Sequence, residues 1–375
     1  MSQTQAIALL ASAADELSQI RRGTHYREWR DDNVDVLGKS LATTAPFERV
    51  VSLSIPQENG APVNIYNRIG DWAVDQLVAR VEPENMLARL ADELSRNSTP
   101  FVDVYVIDNS TINAPCLISP ALEVAPAPPM LPWPLGSSAP ATLAEVRQPF
   151  TVSPAYIPSE RAGQMEPILQ VPSALKRTKA LPAIRYACLL ASSGPIELRP
   201  LRVDRDLKDL FTPPRFHETA PNTMAGPKAH HILAVDLKAM HDGLARFAGQ
   251  ESLFRAIERL GRARRAHDPV DQALELGIAL EIAMTHSDQG GPEITYRLST
   301  RLAWLLGKTA EDRQTIFKET KALYAARSKA VHEGRLLPKH QPDLVAGDRL
   351  VTRALRTLVE RGAFPDWNKL TMGAG

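Results

Sequence analysis

The stretch DQALELGIALEIAM, residues Asp271–Met284, repeats apolar side chains at the three- and four-residue spacing of a helix. The same spacing recurs in ITYRLSTRLAWLLG at Ile294–Gly307 and in LYAARSKAVHEG at Leu323–Gly334. Asp268 and Pro269 are residue types that begin a helix, just before the first stretch. Because the connections are short, consecutive helices are expected to be antiparallel, and this part of the chain is predicted to be a helical bundle.

The predicted fold class is α+β, with four regions in sequence. Residues 1–110 form an N-terminal α+β region of unknown role, 111–228 a proline-rich segment with a few strands, 229–361 the bundle and 362–375 a tail. Within the bundle, helices are predicted at about 230–248, 250–266, 269–286, 293–307, 310–333 and 342–361.

The region before the bundle mixes helical and strand patterns. An amphipathic helix is predicted at the N-terminus, and Trp72–Leu94 is predicted to form two helices broken near Pro83. The alternating or β-rich runs predict strands at Val50–Ile55, Phe101–Ile107, Ile184–Leu190 and Ile196–Val203. Thirteen prolines between Pro115 and Pro172 favour extended chain, either a surface meander or a docking segment for a proline-binding partner.

Composition limits the class of protein. Hydrophobic residues make up 44% and charged residues 23% of the 375 residues, which excludes wholesale disorder. The net charge is −7 over the first 150 residues and +8 over the rest, a balance that is compatible with a nucleic-acid partner. No apolar run approaches the roughly 20 residues of a membrane span. With only two cysteines and no basic start to a signal peptide, we expect a cytoplasmic protein without a membrane partner.

Three charged residues fall on apolar helix faces. At about 100° per residue, Glu281, Arg301 and Arg327 each lie within the apolar arc of their own helix. A charge on a buried face is costly unless it is paired. Since one carboxylate neutralises one guanidinium, one cation is left over, and we expect it to face an anion such as a phosphate. The alternative is a buried Glu281–Arg301 bridge, with Arg327 extending to solvent.

A histidine, His332, follows Arg327 near the end of the same helix. Histidine exchanges a proton near neutral pH and arginine stabilises developing charge, so the pair suits metal-free cleavage of RNA by its own 2′-hydroxyl. Five residues correspond to about 140° around a helix, so the two side chains do not share a face. Either the last turn unwinds before Gly334, or a dimer completes the site. The alternative is a histidine that interacts only with the helix dipole.

The three stretches quoted above resemble a HEPN domain of the Apea-like branch, over residues 229–361. The family signature is an arginine followed after four to six residues by a histidine, and Arg327 and His332 match it with four residues between them. By position, Arg327 would bind the scissile phosphate, His332 would be the general acid and base, and Glu281 would orient an arginine. The residue after the arginine is commonly Asn, Asp or His in the family, whereas here it is Ser328.

The resemblance implies a metal-independent endoribonuclease of toxin-like or anti-phage defence type, with no cofactor and no metal. It further implies RNA as a partner, a homodimer through the HEPN domain, and a regulatory protein partner. The candidate substrate-binding residues are Arg301, Tyr324, Ser328 and Lys329. The rival hypothesis is a non-catalytic HEPN module that binds RNA or a protein, and a third is a structural dimer whose buried charges set specificity.

A further basic face lies on the second helix of the bundle. Four arginines, Arg255, Arg259, Arg262 and Arg265, lie on one side of it. They fit either a nucleic-acid backbone or, since Glu251–Arg255 and Glu258–Arg262 have i,i+4 spacing, a solvated salt-bridged surface.

Overall fold

The computed structural model describes residues 1–20, 24–55, 63–95, 98–120, 122–127, 143–152, 156–160, 180–205, 229–247, 250–286 and 293–373. The chain divides into two compact units, each built from distant parts of the sequence. The first contains residues 1–104, 147–177 and 201–221, and the second contains 105–146, 178–200 and 222–375. This division differs from the predicted boundaries at residues 110 and 228, because the helical bundle shares its unit with earlier segments.

The first unit is mainly helical. Its helices are α1 (Gln3–Gln19), α2 (Thr24–Ala42), α3 (Ala45–Glu48), α4 (Ile69–Val78) and α5 (Pro83–Leu94). The predicted pair of helices around Pro83 is confirmed, and this proline begins α5, where its missing N–H costs nothing. Strand β1 (Leu53–Ile55), the end of the predicted strand 50–55, pairs antiparallel with β2 (Val63–Asn64) and β8 (Ile157–Pro158).

The second unit contains the predicted bundle. Its helices are α6 (Leu181–Ala191), α7 (Ala234–Arg246), α8 (Gln250–Arg265), α9 (Pro269–Met284), α10 (Ile294–Leu306), α11 (Ala310–Glu333), α12 (Gln341–Arg361) and α13 (Trp367–Thr371). The six helices predicted from about residue 230 onward are confirmed as α7 to α12. They enclose one large core to which α6 and α13 also contribute.

Local signals explain where these helices begin and end. The Asp268 side chain accepts a hydrogen bond from the N–H of Val270 at the start of α9. At the start of α11, Thr309 and Asp312 form a capping box. The same helix stops at Gly334, whose φ of 63° is left-handed backbone that glycine adopts without strain.

The remaining strands form two sheets. They are β3 (Thr99–Ile107), β4 (Ser110–Ile112), β5 (Cys116–Ser119), β6 (Leu122–Pro126), β7 (Ala144–Val152), β9 (Leu198–Arg205) and β10 (His230–Ile232). The larger sheet has the order β5-β6-β7-β3-β9, and β10 pairs with β4 in parallel. The predicted strands at 101–107 and 196–203 are confirmed as β3 and β9. The described residues of the proline-rich segment therefore include several strands, while residues 128–142 and 161–179 lie outside the described part.

The predicted strand Ile184–Leu190 is wrong, because these residues belong to helix α6. A continuous apolar run does not distinguish a buried strand from a buried helix. Pro182 lies in the first turn, where it favours the start of a helix, and the buried residues of α6 are Ile184, Ala187, Cys188, Leu189 and Leu190.

The predicted tail 362–375 also contains ordered structure, since helix α13 lies within it. Asp366 caps this helix by accepting hydrogen bonds from two backbone N–H groups, and Trp367 and Leu370 are buried in the core of the bundle. Within the described ranges, no helix has the length and apolar character needed to cross a bilayer.

Candidate functional site

Helices α9 and α11 bring Glu281, Tyr324 and Arg327 together. One carboxylate oxygen of Glu281, Oε1, accepts a hydrogen bond of 3.0 Å from the Tyr324 hydroxyl. The same oxygen lies 3.3 Å from Nη2 of Arg327. The Arg327 guanidinium carbon is 5.4 Å from the centroid of the Tyr324 ring. We call these three residues the Arg327 cluster. It contains both the predicted phosphate-binding arginine and the predicted supporting carboxylate.

A glycine on α9 makes room for the arginine. A Cβ placed on Gly277 would lie 2.5 Å from Cγ of Arg327, well inside a normal contact distance. The aliphatic stem of Arg327 therefore crosses α9 at the residue that has no side chain, one turn before Glu281. The sequence alone does not assign Gly277 this role, because a helical pattern does not show which side chain of another helix crosses it.

The Arg327 cluster lies at the edge of the core. The side chains of Arg327 and Glu281 are 26% and 24% exposed, respectively. Nε of Arg327 is buried and has no hydrogen-bond partner among the described residues. Because the side chain as a whole is partly exposed, the exposed part of the guanidinium, and not the buried Nε, is the part that a phosphate oxygen can reach.

Tyr324 is present as the neutral phenol. Burial raises its pKa above the ordinary value of a tyrosine, and the hydrogen bond to the Glu281 carboxylate raises it further, against the opposing effect of Arg327. At neutral pH the hydroxyl thus remains a hydrogen-bond donor. Its hydrogen bond holds the Glu281 carboxylate at a fixed position relative to Arg327.

Arg301 lies elsewhere and is 8% exposed. Its Nη1 donates a hydrogen bond of 2.7 Å to the carbonyl of Met284, the last residue of α9, and its guanidinium carbon is 5.5 Å from the Trp367 ring. These contacts link the end of α9 to α13. Glu281, which one alternative predicted to be the partner of Arg301, is paired with Arg327. The predicted role of Arg301 in substrate binding stays a prediction.

His332 lies on the last turn of α11 and is exposed. It makes no hydrogen bond or ion pair with the part of the chain that the structure describes. The helix stays regular through Glu333, so the last turn does not unwind toward Arg327. Five residues apart on a regular helix, the two side chains point about 140° apart. Within one chain, the structure does not bring the predicted catalytic histidine to the Arg327 cluster.

Ser328 and Lys329 are both half-buried on α11. Nζ of Lys329 is 3.4 Å from Nε2 of His340, whose Nδ1 is 3.4 Å from a carboxylate oxygen of Asp343. The sequence did not single out His340 and Asp343, because a turn separates them from α11. Lys329 is two residues, or about 200°, away from Arg327, so this group faces another side of the helix.

The basic face of α8 is a salt-bridged surface, as one of the two alternatives predicted. Arg255 pairs with Glu251 and Arg262 with Glu258, each at i,i+4 spacing. The sequence analysis did not single out Arg264, which follows Arg262 on the same helix and packs inside the unit. Arg264 is 3% exposed and forms a bidentate contact with Asp348 at 2.9 Å from both Nε and Nη2.

No match to this chain was found among protein-family models, curated proteins or solved structures. Among the residues that the structure describes, no three or more His, Cys, Asp or Glu side chains are grouped as metal ligands.

Proposed function

We propose that this protein is a HEPN-type, metal-independent endoribonuclease of a toxin-like or anti-phage defence system. The observation that carries the proposal is the state of Arg327, whose side chain is positioned by Glu281 and Gly277 and is still 26% exposed. An arginine of this kind is suited to hold a phosphate and to stabilise charge that develops on it.

The proposed reaction is attack of a ribose 2′-oxygen on the adjacent phosphorus. The base removes the 2′-hydroxyl proton, the bond between phosphorus and the 5′-oxygen breaks, and the acid returns a proton to that leaving oxygen. The products are a 2′,3′-cyclic phosphate and a 5′-hydroxyl. In this scheme Arg327 stabilises the extra negative charge on the phosphoryl oxygens, and His332 moves the proton.

A homodimer supplies the geometry that one chain lacks. Because α11 stays helical to Glu333, His332 faces away from Arg327 of its own chain. Its exposed imidazole makes no hydrogen bond or ion pair with the described residues and is available to a second copy. A twofold axis near the ends of the two α11 helices would bring each Arg327 close to the partner's His332, giving two equal composite sites.

The rival proposal is a non-catalytic HEPN module that binds RNA or a protein. One observation favours it, since Glu281 already lies 3.3 Å from the Arg327 guanidinium and competes with a phosphate for it. In the catalytic proposal, the same carboxylate orients the arginine and leaves the exposed part of its guanidinium for the substrate. The two proposals therefore differ in whether RNA is cut and not in whether it is bound.

The test compares wild type, Arg327→Ala and His332→Ala on end-labelled single-stranded RNA in EDTA. We expect wild type to cut it and each substitution to reduce the rate at least about 100-fold. Arg185→Ala is a matched control for Arg327, since Arg185 is also 26% exposed and pairs with Glu258. His267→Ala is the control for an exposed histidine. RNA that is bound but never cut by wild type supports the rival.

Mixing the two inactive variants tests the composite site. After subunit exchange, half of the dimers are mixed and each holds one intact site of two, so about a quarter of the wild-type activity should return. No recovery, with exchange verified by native mass spectrometry, contradicts a site that is shared between subunits.

A further inference from the structure

A groove between α10 and α11 lies on the half of α11 that precedes the Arg327 cluster. Its volume is about 310 Å³, within the range of small-ligand sites. It is lined by aromatic and basic side chains, chiefly Tyr296, Trp304, Arg313, Phe317 and Lys318. We call it the aromatic groove. The predicted catalytic and substrate-binding residues do not line it.

The aromatic rings of the groove are partly open to solvent. Tyr296 is 59% exposed, which is unusual for a large ring beside other rings. It meets Phe317 edge to face, with ring centroids 5.8 Å apart and planes at 72°. One face of the Tyr296 ring is therefore not used by its aromatic neighbour, and it offers a flat apolar surface at the mouth of the groove.

Neither cation of the groove is paired with a carboxylate among the described residues. Nε of Arg313 donates a hydrogen bond of 3.2 Å to the carbonyl of Gly307, and its guanidinium carbon lies 3.7 Å from the centroid of the Trp304 ring. Lys318 is exposed and makes no ion pair within the described ranges. The lining contains these two cations and no acidic side chain, so it favours an anionic ligand.

We propose that the aromatic groove binds unpaired bases of single-stranded RNA. Aromatic rings and arginine planes stack on bases of any sequence, and neighbouring cations follow the phosphates, which is how single strands are held without sequence readout. The choice of RNA as the nucleic acid rests on the proposed function. Phe317 and Arg327 are ten residues apart on one helix, about 15 Å along its axis and about 80° around it, so a strand of a few nucleotides is long enough to join the two sites.

The experiment measures binding to a fluorescent 2′-O-methyl oligonucleotide, which lacks the attacking hydroxyl and cannot be cut. We expect Tyr296→Ala to weaken binding by between about fivefold and a hundredfold, the range for losing one stacked base. Tyr296→Phe keeps the ring and should bind within about twofold of wild type. Tyr66→Ala removes a tyrosine of the first unit that is 45% exposed, and it should have no effect.

Three results would overturn the inference. They are no binding by wild type, equal binding by wild type and Tyr296→Ala, or loss of the dimer by Tyr296→Ala in native mass spectrometry, which would make the groove an interface between copies. Cutting in EDTA is scored separately on unmodified RNA. If Tyr296→Ala loses binding while wild type never cuts, the inference stands and the nuclease proposal fails.

Discussion

Two arginines of the second unit, Arg264 and Arg327, have different surroundings. All three nitrogens of Arg264 are hydrogen-bonded, to Asp348, to Thr352 and to backbone carbonyls in the last turn of α6 and just after it, and its side chain is 3% exposed. Arg327 has one ion pair at 3.3 Å, a buried Nε without a partner among the described residues, and 26% exposure. The hydrogen bonds of Arg264 hold α8, α12 and the end of α6 together. The Arg327 guanidinium has one charged partner and is partly open to solvent, so a ligand can reach it.

The largest expected effect is the loss of stability on replacing Arg264. Arg264→Ala leaves Asp348 without its charge partner and the carbonyls without donors, which should cost about 3–5 kcal/mol of unfolding free energy. Arg327→Ala removes a partly exposed pair and should cost no more than about 1 kcal/mol. Urea denaturation followed by circular dichroism measures both. Equal losses would show that the two arginines have the same structural role.

A smaller effect should follow from filling the space at Gly277. In Gly277→Ala the new Cβ meets the Arg327 stem at 2.5 Å, so the guanidinium must shift. Alanine is more favourable than glycine inside a helix by about 1 kcal/mol, which offsets the strain of this contact. We expect stability to change by less than about 1 kcal/mol while RNA cutting falls about tenfold, by analogy with other displaced catalytic groups.

Gly261→Ala on α8 is the matched control for that substitution. Its Cβ would meet Leu189 at 3.0 Å and does not touch the Arg327 cluster. Cutting should be unchanged in this variant. A loss of cutting in both variants would point to general disturbance of the bundle.

The smallest effect concerns the pH dependence of stability in the Arg327 cluster. Because the pKa of Tyr324 is raised in the folded protein, chiefly by burial, the folded state holds this proton more tightly than the unfolded chain does. Its contribution to stability is complete below about pH 10 and is lost as pH rises through the folded-state pKa. Tyr324→Phe should therefore lose less stability than wild type between pH 9 and pH 11. Parallel stability curves would contradict a raised pKa.

Much of the bundle was predictable from the sequence. Helices α7 to α12 follow from apolar spacing and from end signals such as Asp268 and Gly334, because both act within a few residues. Helix α6 was mistaken for a strand, since residues 186–191 are apolar throughout and a run of this length fits a buried strand as well as a buried helix. The two-unit division was not predictable, since it depends on contacts between segments far apart in the chain.

The site was predictable only in part. The helical angles predicted that Glu281 and Arg327 lie on the apolar faces of their helices. They did not predict which arginine forms an ion pair with Glu281. That choice depends on how α9 packs against α10 and α11, and the structure pairs Glu281 with Arg327. Arg264 was missed because it lies in a run of arginines, where the pattern does not show which one points inward.

Helix α11 is one uninterrupted element from Ala310 to Glu333. The aromatic groove and the Arg327 cluster therefore lie along the same helix axis, and the number of residues between Phe317 and Arg327 sets their relative direction. Adding one residue there would rotate Arg327 away from Glu281 by about 100°, while adding seven would nearly restore its direction and move it about 10 Å along the axis. Between these two sites, the number of residues in α11 is therefore more constrained than the identity of its solvent-facing residues.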